Sequence, residues 1–165
     1  MIALSLPFIP VALPVLPART MLDARLYALD ADNVEQIGWP ELVATVNGAY
    51  QQLRPDERAH AQILTANWGE AGAVDFFGGR YGLPHAISGQ DSYYLWGPGD
   101  PDATTYIAVG FSAGRLAPYF AEVTPAATIT NALGAPNQED GRSVFLCRRP
   151  RMSLARVWPD FKHYI

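Results

Sequence analysis

The feature that most constrains the fold is a repeated change from an apolar run to a turn or loop between residues 63 and 98. The first run, 63–66, leads directly into a glycine turn and the start of a helix at 67–72. A second apolar run, 85–87, ends in a loop, 88–96, that is crowded with polar and aromatic residues. Open α/β sheets place ligands where strands end in such loops. The two loops therefore predict one shared crevice.

Strand and helix patterns alternate along the chain. The predicted strands are 61–66, 85–87, 104–111, 126–130 and 143–147. The predicted helices begin at Trp39 and Gly69, follow Ser112 as far as Val123, and span 154–161. This alternation predicts an α/β fold, a three-layer sandwich with a mainly parallel, Rossmann-like sheet of about five strands. The last two strands are expected to form an antiparallel pair at one edge.

The first residues have a composition unlike the rest of the chain. Residues 1–18 carry no charged side chain and contain four prolines. A complete membrane span needs about 20 apolar residues, and prolines interrupt a helix. We therefore predict that 1–18 is the tail of a membrane span or an apolar arm. Residues 19–38 then form a connector, and 39–165 form one soluble α/β domain.

Charge and cysteine content exclude several classes of function. The net charge is −4 and no basic stripe is visible, which argues against a nucleic-acid partner. The single cysteine, Cys147, lies in an apolar run and is predicted to be a buried thiol. One cysteine leaves no internal disulfide and no CxxC metal motif. The three histidines have no metal-ligand spacing, so we predict no metal site.

The turn at 67–72 partly matches a dinucleotide-binding fingerprint. Asn67, Gly69 and Gly72 fit G-x-G-x-x-G with asparagine at the first glycine, and Asp91 follows about twenty residues later. Glu70 departs from this pattern, because a carboxylate in the first helical turn competes with a phosphate for the same amides. A nucleotide site and a tight turn that packs helix on strand both remain open.

The same segment also has the composition of a sugar or polyol pocket. Polar groups beside flat aromatic faces suit carbohydrates, and small ligands bind in concave, mostly apolar sites with few polar groups. The candidate ligand-binding residues are Asn67, Trp68, Gly69, Glu70, Ser88, Gln90, Asp91, Tyr93 and Trp96. The alternative is that these aromatic residues fill the core or contact a neighbouring domain.

Two further catalytic patterns are formally present. Residues 110–114 read G-F-S-A-G, which places Ser112 in a G-x-S-x-G string between a strand and a helix, with Asp140 and His163 downstream. A small α/β hydrolase that uses Ser112 therefore remains open. The alternative is that Ser112 only caps the following helix. The carboxylates for an acid/base pair would be Glu70, Asp75 and Asp91.

Several segments together resemble one known family. The segments are 38–42, 67–73, 81–84, 88–93, 95–98 and 158–164. In these segments the chain resembles the soluble C-terminal domain of bacterial family 39 glycosyltransferases. These are membrane enzymes related to protein O-mannosyltransferases and to the aminoarabinose transferase of lipid A. The family often has a His-Asn pair where this chain has Gln90 and Asp91.

The resemblance implies sugar transfer from a polyprenyl-phosphate donor at the cell membrane, with this domain on the extracytoplasmic, periplasmic side. The family's catalytic acid lies near the N-terminus of the full enzyme, so no residue here inherits a catalytic role and no cofactor is expected. The implied partners are the membrane-embedded part of the same parent protein and a glycan or lipid-linked acceptor. A Rossmann-like nucleotide-binding enzyme and a hydrolase using Ser112 remain the alternatives.

Overall fold

The structure is a computed structural model, and it describes residues 9, 15–25, 28 and 32–164. Most of the predicted span tail at 1–18 lies outside these residues. In the part of the chain that is described, no helix is long and apolar enough to cross a membrane. The predicted connector contains two short helices, α1 (Ala18–Asp23) and α2 (Asp32–Glu35).

The remaining elements alternate as the sequence patterns predict over most of the chain. The helices are α3 (Trp39–Gln51), α4 (Pro55–Arg58), α5 (Trp68–Phe77), α6 (Ala113–Leu116) and α7 (Leu154–Phe161). The strands are β1 (Ala61–Thr65), β2 (Ala86–Ser88), β3 (Thr105–Val109), β4 (Phe120–Thr128) and β5 (Ser143–Pro150). Short 3₁₀ turns cover Gly78–Tyr81 and Asp91–Trp96.

The five strands form one open mixed sheet in the order β2-β1-β3-β5-β4. Strand β1 pairs in parallel with both β2 and β3. Strand β5 is antiparallel to both β3 and β4. The expectation of a mainly parallel sheet is therefore correct only for the end formed by β2, β1 and β3. Over the whole sheet, antiparallel pairing involves more residues than parallel pairing. The predicted antiparallel pair of the last two strands is confirmed.

The buried side chains form two clusters, and successive residues of the central strands alternate between them. Ile63 and Ile107 pack with residues of α3 and α5 in the first cluster. Leu64 and Ala108 pack with residues of α6 and α7 in the second. Side chains of a strand point alternately to opposite faces, so β1 and β3 are covered on both faces, as their continuous apolar runs predict.

The predicted helix from Ser112 to Val123 is wrong beyond its first turn. The helix ends at Leu116, and β4 begins at Phe120, earlier than the predicted strand at 126–130. Strand β4 pairs with β5 from Phe120 to Thr128, around a register shift after Pro125. It is an edge strand, where proline is tolerated because one side makes no ladder hydrogen bonds. Pairing with β5 therefore overrides the local helical spacing.

Cys147 lies in β5 and is fully buried, which confirms the predicted buried thiol. Burial raises the pKa of this thiol to about 12. The thiolate is the reactive form of cysteine, so the side chain acts as a small apolar group of the core.

Candidate functional site

The carboxyl ends of β1, β2 and β3 meet at one edge of the sheet, because the three strands are parallel. The chain leaves β1 through α5 on one face and leaves β3 through α6 on the other. Strands β1 and β3 are neighbours, so the two loops diverge between them. A crevice at such a point is the usual ligand position in open α/β sheets.

Asn67 and Glu70 close the start of α5 with a reciprocal capping box. The Asn67 side chain accepts a hydrogen bond from the Glu70 N–H at 2.7 Å. Glu70 Oε2 in turn accepts from the N–H groups of Ala66 at 2.9 Å and Asn67 at 3.2 Å. Such reciprocal bonds satisfy amides that the helix itself leaves free. The Glu70 carboxylate thus lies against the amides at which a phosphate would bind.

Gly110, at the end of β3, packs directly over the Glu70 carboxylate. A Cβ atom at Gly110 would lie 2.3 Å from Glu70 Oε1 and 2.7 Å from the Ala66 side chain. The φ angle of Gly110 is +78°, in the region that favours glycine. Gly110 was not among the predicted site residues and appeared only in the G-F-S-A-G string, although a glycine directly after a buried strand marks such a close approach.

Glu70 is a buried carboxyl group with a strongly shifted titration. Only 1% of the residue is exposed. Burial raises its pKa to about 7, opposed by the hydrogen bond from the Asn67 amide and assisted by the charge of Glu139. Perturbed carboxyl groups of this kind concentrate at functional sites, although structural groups show them too.

Glu139 is the second buried carboxyl group at this edge, and no sequence signal identified it. It lies in the loop 131–142 between β4 and β5, and only 3% of the residue is exposed. Its Oε1 atom accepts a long hydrogen bond from Asn67 Nδ2, at 3.5 Å. Its Oε2 atom is buried without a hydrogen-bond partner among the described residues. Asn67 therefore lies between two buried carboxyl groups.

The loop after β2 is joined to α5 by Gln90, whose side-chain oxygen accepts a hydrogen bond from the Trp68 N–H at 2.9 Å. The loop also pairs with the end of the chain, since Asp91 N–H donates to the His163 carbonyl at 3.1 Å. Ser88 is fully buried, and its Oγ accepts from Gln90 N–H at 3.3 Å. These polar groups hold the two loops in place.

The aromatic residues of the predicted pocket lie on an exposed surface beside this crevice. We call the side chains of Trp68, Phe76, Tyr93, Leu95 and Trp96 the aromatic surface. Exposed fractions are 48% for Trp68, 82% for Phe76, 79% for Leu95 and 70% for Trp96. Phe76 and Leu95 were not among the predicted site residues.

The parts of the aromatic surface are connected through Tyr93. Trp68 and Phe76 project from the same face of α5, with Gly72 one turn from each. The Tyr93 hydroxyl lies 3.9 Å from the Cβ position of Gly72, and its ring centroid is 4.3 Å from that of Trp96. Gly72 therefore leaves room for the second loop to lie against the helix.

Asp75 supplies the hydrogen-bonding carboxylate beside the aromatic surface. Its carboxylate accepts hydrogen bonds from the Tyr93 hydroxyl at 3.1 Å and the Ala86 N–H at 2.9 Å. The exposed His85 ring lies 3.3 Å from the same carboxylate. Burial first, and then the charge of Asp75, raise the pKa of Tyr93 to about 12. Tyr93 therefore stays a neutral hydrogen-bonding hydroxyl.

Eight of the nine predicted residues thus form two neighbouring groups, and Asp91 belongs to neither. Asn67, Gly69, Glu70, Ser88 and Gln90 belong to the polar crevice or its close packing. Trp68, Tyr93 and Trp96 belong to the aromatic surface. Asp91 has a φ of +48° and is held at the chain end through its backbone. The proposed carboxylate partners Asp75 and Glu70 make separate hydrogen-bond networks.

The geometry gives little support to either alternative enzyme. Glu70 already occupies the amides of the candidate phosphate turn. Ser112 Oγ accepts a hydrogen bond from the Arg115 N–H at 3.3 Å, which is the bond of a helix cap. His163 Nδ1 lies 2.8 Å from the Phe161 carbonyl, and Asp140 accepts from the Asn131 N–H. No triad is assembled among the described residues.

Comparison with known proteins finds no matching family model, no matching curated protein and no matching solved structure.

Proposed function

We propose that this chain is the accessory, extracytoplasmic domain of a polyprenyl-phosphate-sugar-dependent membrane glycosyltransferase, and that it binds a glycan or a lipid-linked acceptor. The proposal starts from the resemblance of six segments to that family. The observation that carries the binding role is the aromatic surface beside the polar crevice. Transfer of sugar itself is assigned to the membrane-embedded part of the parent protein.

The exposure of the aromatic surface supports a binding role. Large apolar side chains grouped on a surface mark sites for ligands or partners, whereas single exposed ones are ordinary. Phe76, Leu95 and Trp96 each expose more than two thirds of their area. These residues are not needed to fill the core, because the two buried clusters are complete without them.

The chemistry of this surface suits a sugar. The C–H faces of a pyranose ring are apolar and pack against flat indole and phenyl rings, while its hydroxyl groups need hydrogen-bond partners. Trp68 and Trp96 offer such faces, the Tyr93 ring lies against that of Trp96, and the Tyr93 hydroxyl donates to the Asp75 carboxylate. A sugar on this surface can therefore meet both requirements at once.

We also propose that the fold be classed as a three-layer sandwich that is Rossmann-like in its parallel half. Support comes from the unit β1-α5-β2, in which a helix joins two parallel neighbouring strands, and from β3 on the other side of β1. The antiparallel strands β5 and β4 extend this half rather than repeat it.

Sugar binding is tested by titrating the ¹⁵N-labelled chain with methyl hexosides, short oligosaccharides and farnesyl phosphate. We expect the indole N–H signals of Trp68 and Trp96 to shift with a saturable concentration dependence. In Trp96→Ala the shift of the remaining Trp68 signal should disappear. In Met152→Ala, whose side chain is also exposed but is not part of the aromatic surface, the shifts should persist. Both variants should unfold at the wild-type temperature, since neither residue is in the core.

Two results would count against the proposal. If none of these compounds moves the indole signals at millimolar concentration, this surface does not bind sugar or prenyl phosphate. The link to a membrane enzyme is tested separately by the upstream reading frame. We expect that frame to encode many membrane spans continuous with this chain, and a stop codon directly upstream of Met1 would overturn it.

A further inference from the structure

The loop 131–142 covers the edge of the sheet at which β1 and β3 diverge. Its closed position depends on hydrogen bonds to three other parts of the fold. The Gln138 N–H donates to Glu35 at 3.0 Å, and Asn137 Nδ2 donates to the Ile37 carbonyl. At the far end Arg142 donates to the Gly110 carbonyl at 3.4 Å. The loop thus spans from the segment before α3 to the end of β3.

Glu139 is a carboxyl group of this loop, and only 3% of the residue is exposed. Its Oε1 atom has the long 3.5 Å bond from Asn67, and its Oε2 atom has no partner among the described residues. An ionised carboxylate in such a place lacks the hydrogen bonds that would offset its lost hydration. A protonated carboxyl group carries no net charge, so the same burial costs it much less.

The charged groups that face Glu139 add to this preference. Glu35 approaches from α2 and Glu70 from α5, and both carry negative charge when ionised. Arg142, at the end of the same loop, opposes them. Burial raises the pKa of Glu139, the hydrogen bond from Asn67 lowers it, and Glu35 raises it again. The balance raises the pKa of Glu139 while the loop is closed.

We propose that residues 131–142 form a lid over the crevice between β1 and β3, and that the lid closes when Glu139 is protonated and opens when Glu139 is ionised. In the closed lid the Asn67 side-chain amide donates to Glu139. Opening exposes Asn67 and the rim of the Glu70 site beneath it. The device does not depend on the proposed sugar-binding role, because it rests only on contacts within the chain.

The sign of the pH effect follows from linkage. The closed lid raises the pKa of Glu139 above its ordinary value of 4.5. Between that value and the raised one the closed form binds more protons, so a rise in pH favours opening. Each unit by which closure raises this pKa makes opening about tenfold more favourable once Glu139 is ionised.

The test is hydrogen exchange of the full chain, followed by NMR at about pH 5 and about pH 8 and corrected for the intrinsic rate at each pH. In the wild type we expect the protection of amides in 131–142 to fall at the higher pH, by the factor that the rise in the pKa of Glu139 on closure sets. Amides of β3 should change less. In Glu139→Gln, which stays neutral, lid protection should be the same at both pH values.

A control variant and a direct titration complete the test. Asp102→Asn removes an exposed carboxylate outside the lid and should keep the wild-type behaviour. The carboxyl carbon of Glu139 should titrate above 4.5 in the wild type, a measurement that needs no variant to fold. Lid protection that is independent of pH in the wild type, an equal pH response in Glu139→Gln, or an ordinary titration of Glu139 would each overturn the proposal.

Discussion

The side-chain oxygen of Gln90 accepts a hydrogen bond from the backbone N–H of Trp68 at 2.9 Å, and so joins the loop after β2 to the first residue of α5. The N–H groups of a first helical turn have no partner within the helix. Gln90 is buried, whereas Trp68 is exposed. One polar side chain therefore positions the aromatic surface relative to the crevice.

Replacing Gln90 with alanine should weaken this link without unfolding the chain. We expect Gln90→Ala to lower the free energy of unfolding by about 1 kcal/mol, because water can reach the freed Trp68 amide and replace part of the bond. The indole signal of Trp68 should broaden or shift. Urea denaturation measures the first effect and NMR the second. Gln51→Ala, at an exposed helix end, should change neither, and equal effects in both variants would contradict the assigned role.

Gly110 and Gly114 provide a matched pair of glycine substitutions. Gly110→Ala places a Cβ atom 2.3 Å from Glu70 Oε1 at a φ of +78°, so we expect a loss of stability. Strain at such a position costs of order 1 to 3 kcal/mol, and the clash adds to it. Gly114 lies in α6 with no atom within 4 Å of its Cβ position. Gly114→Ala should leave stability unchanged or raise it by up to about 1 kcal/mol.

Thermal or urea denaturation of the two glycine variants checks this prediction. Comparable stability of Gly110→Ala and the wild type would show that the close packing of β3 on Glu70 is not maintained in solution.

Glu70 should make the protein less stable as pH rises through the neutral range. Folding raises its pKa from 4.5 to about 7, so the folded state binds more protons between these values. Stability is therefore lost as pH rises from about 4.5 to about 7. Glu70→Gln lacks this titration, and its side-chain oxygen can still accept from the Ala66 N–H.

The measurement is the difference in unfolding free energy between Glu70→Gln and the wild type across pH. We expect the variant to be more stable by about 1 to 3 kcal/mol at about pH 8, and the difference to shrink towards zero at about pH 5. Gln51→Ala, at the exposed end of α3, removes no titratable group and should show no such trend. A difference that does not vary with pH would argue against a raised pKa in the folded state.

At the opposite end of the parallel strands, folding lowers the pKa of a carboxyl group, that of Glu57, instead of raising it. Arg148 lies 2.6 Å from the buried Glu57 carboxylate, in an open cleft of about 770 Å³. The hydrogen bond from Arg148 lowers the pKa of Glu57. This stabilisation is present above the ordinary value of 4.5 and is lost as pH falls through the lower folded value.

Arg148→Met should therefore destabilise the protein by about 2 to 4 kcal/mol at neutral pH, because it leaves a buried carboxylate without its main partner. The loss of stability should decrease in acid, because a protonated Glu57 no longer needs the charge of Arg148. Arg149→Met removes a solvent-exposed partner of Glu122 and should cost at most about 1 kcal/mol. Urea denaturation at several pH values distinguishes the two, and equal losses would contradict the difference in burial.

Much of the parallel half of the fold could be predicted because its signals are local. The apolar run at 61–66 and the glycine turn at 67–72 each determine backbone conformation over a few residues. The same is true of the buried strand at 104–111. The extent of β4 could not be predicted in this way. Its residues have helical spacing as well as strand propensity, and only the ladder with β5 decides between them.

The candidate site divides along the same line. The sequence placed Asn67, Glu70 and Gln90 at strand ends, and parallel pairing alone is enough to bring such ends to one edge. It could not show that Glu70 would bond to backbone amides rather than face a ligand. Nor could it separate the exposed Trp96 from the aromatic side chains of the core, because composition does not record which side of an element faces solvent.

The sequence by itself determined the α/β class, the order of elements over most of the chain, the buried thiol of Cys147 and the turn before α5. These follow from periodicity, capping and glycine placement, which act over short distances. Tertiary structure decided the antiparallel half of the sheet, the close packing of Gly110 on Glu70 and the burial of Glu139 under its loop. Each of these depends on residues far apart in the chain, and burial and carboxyl titration are set by such neighbours.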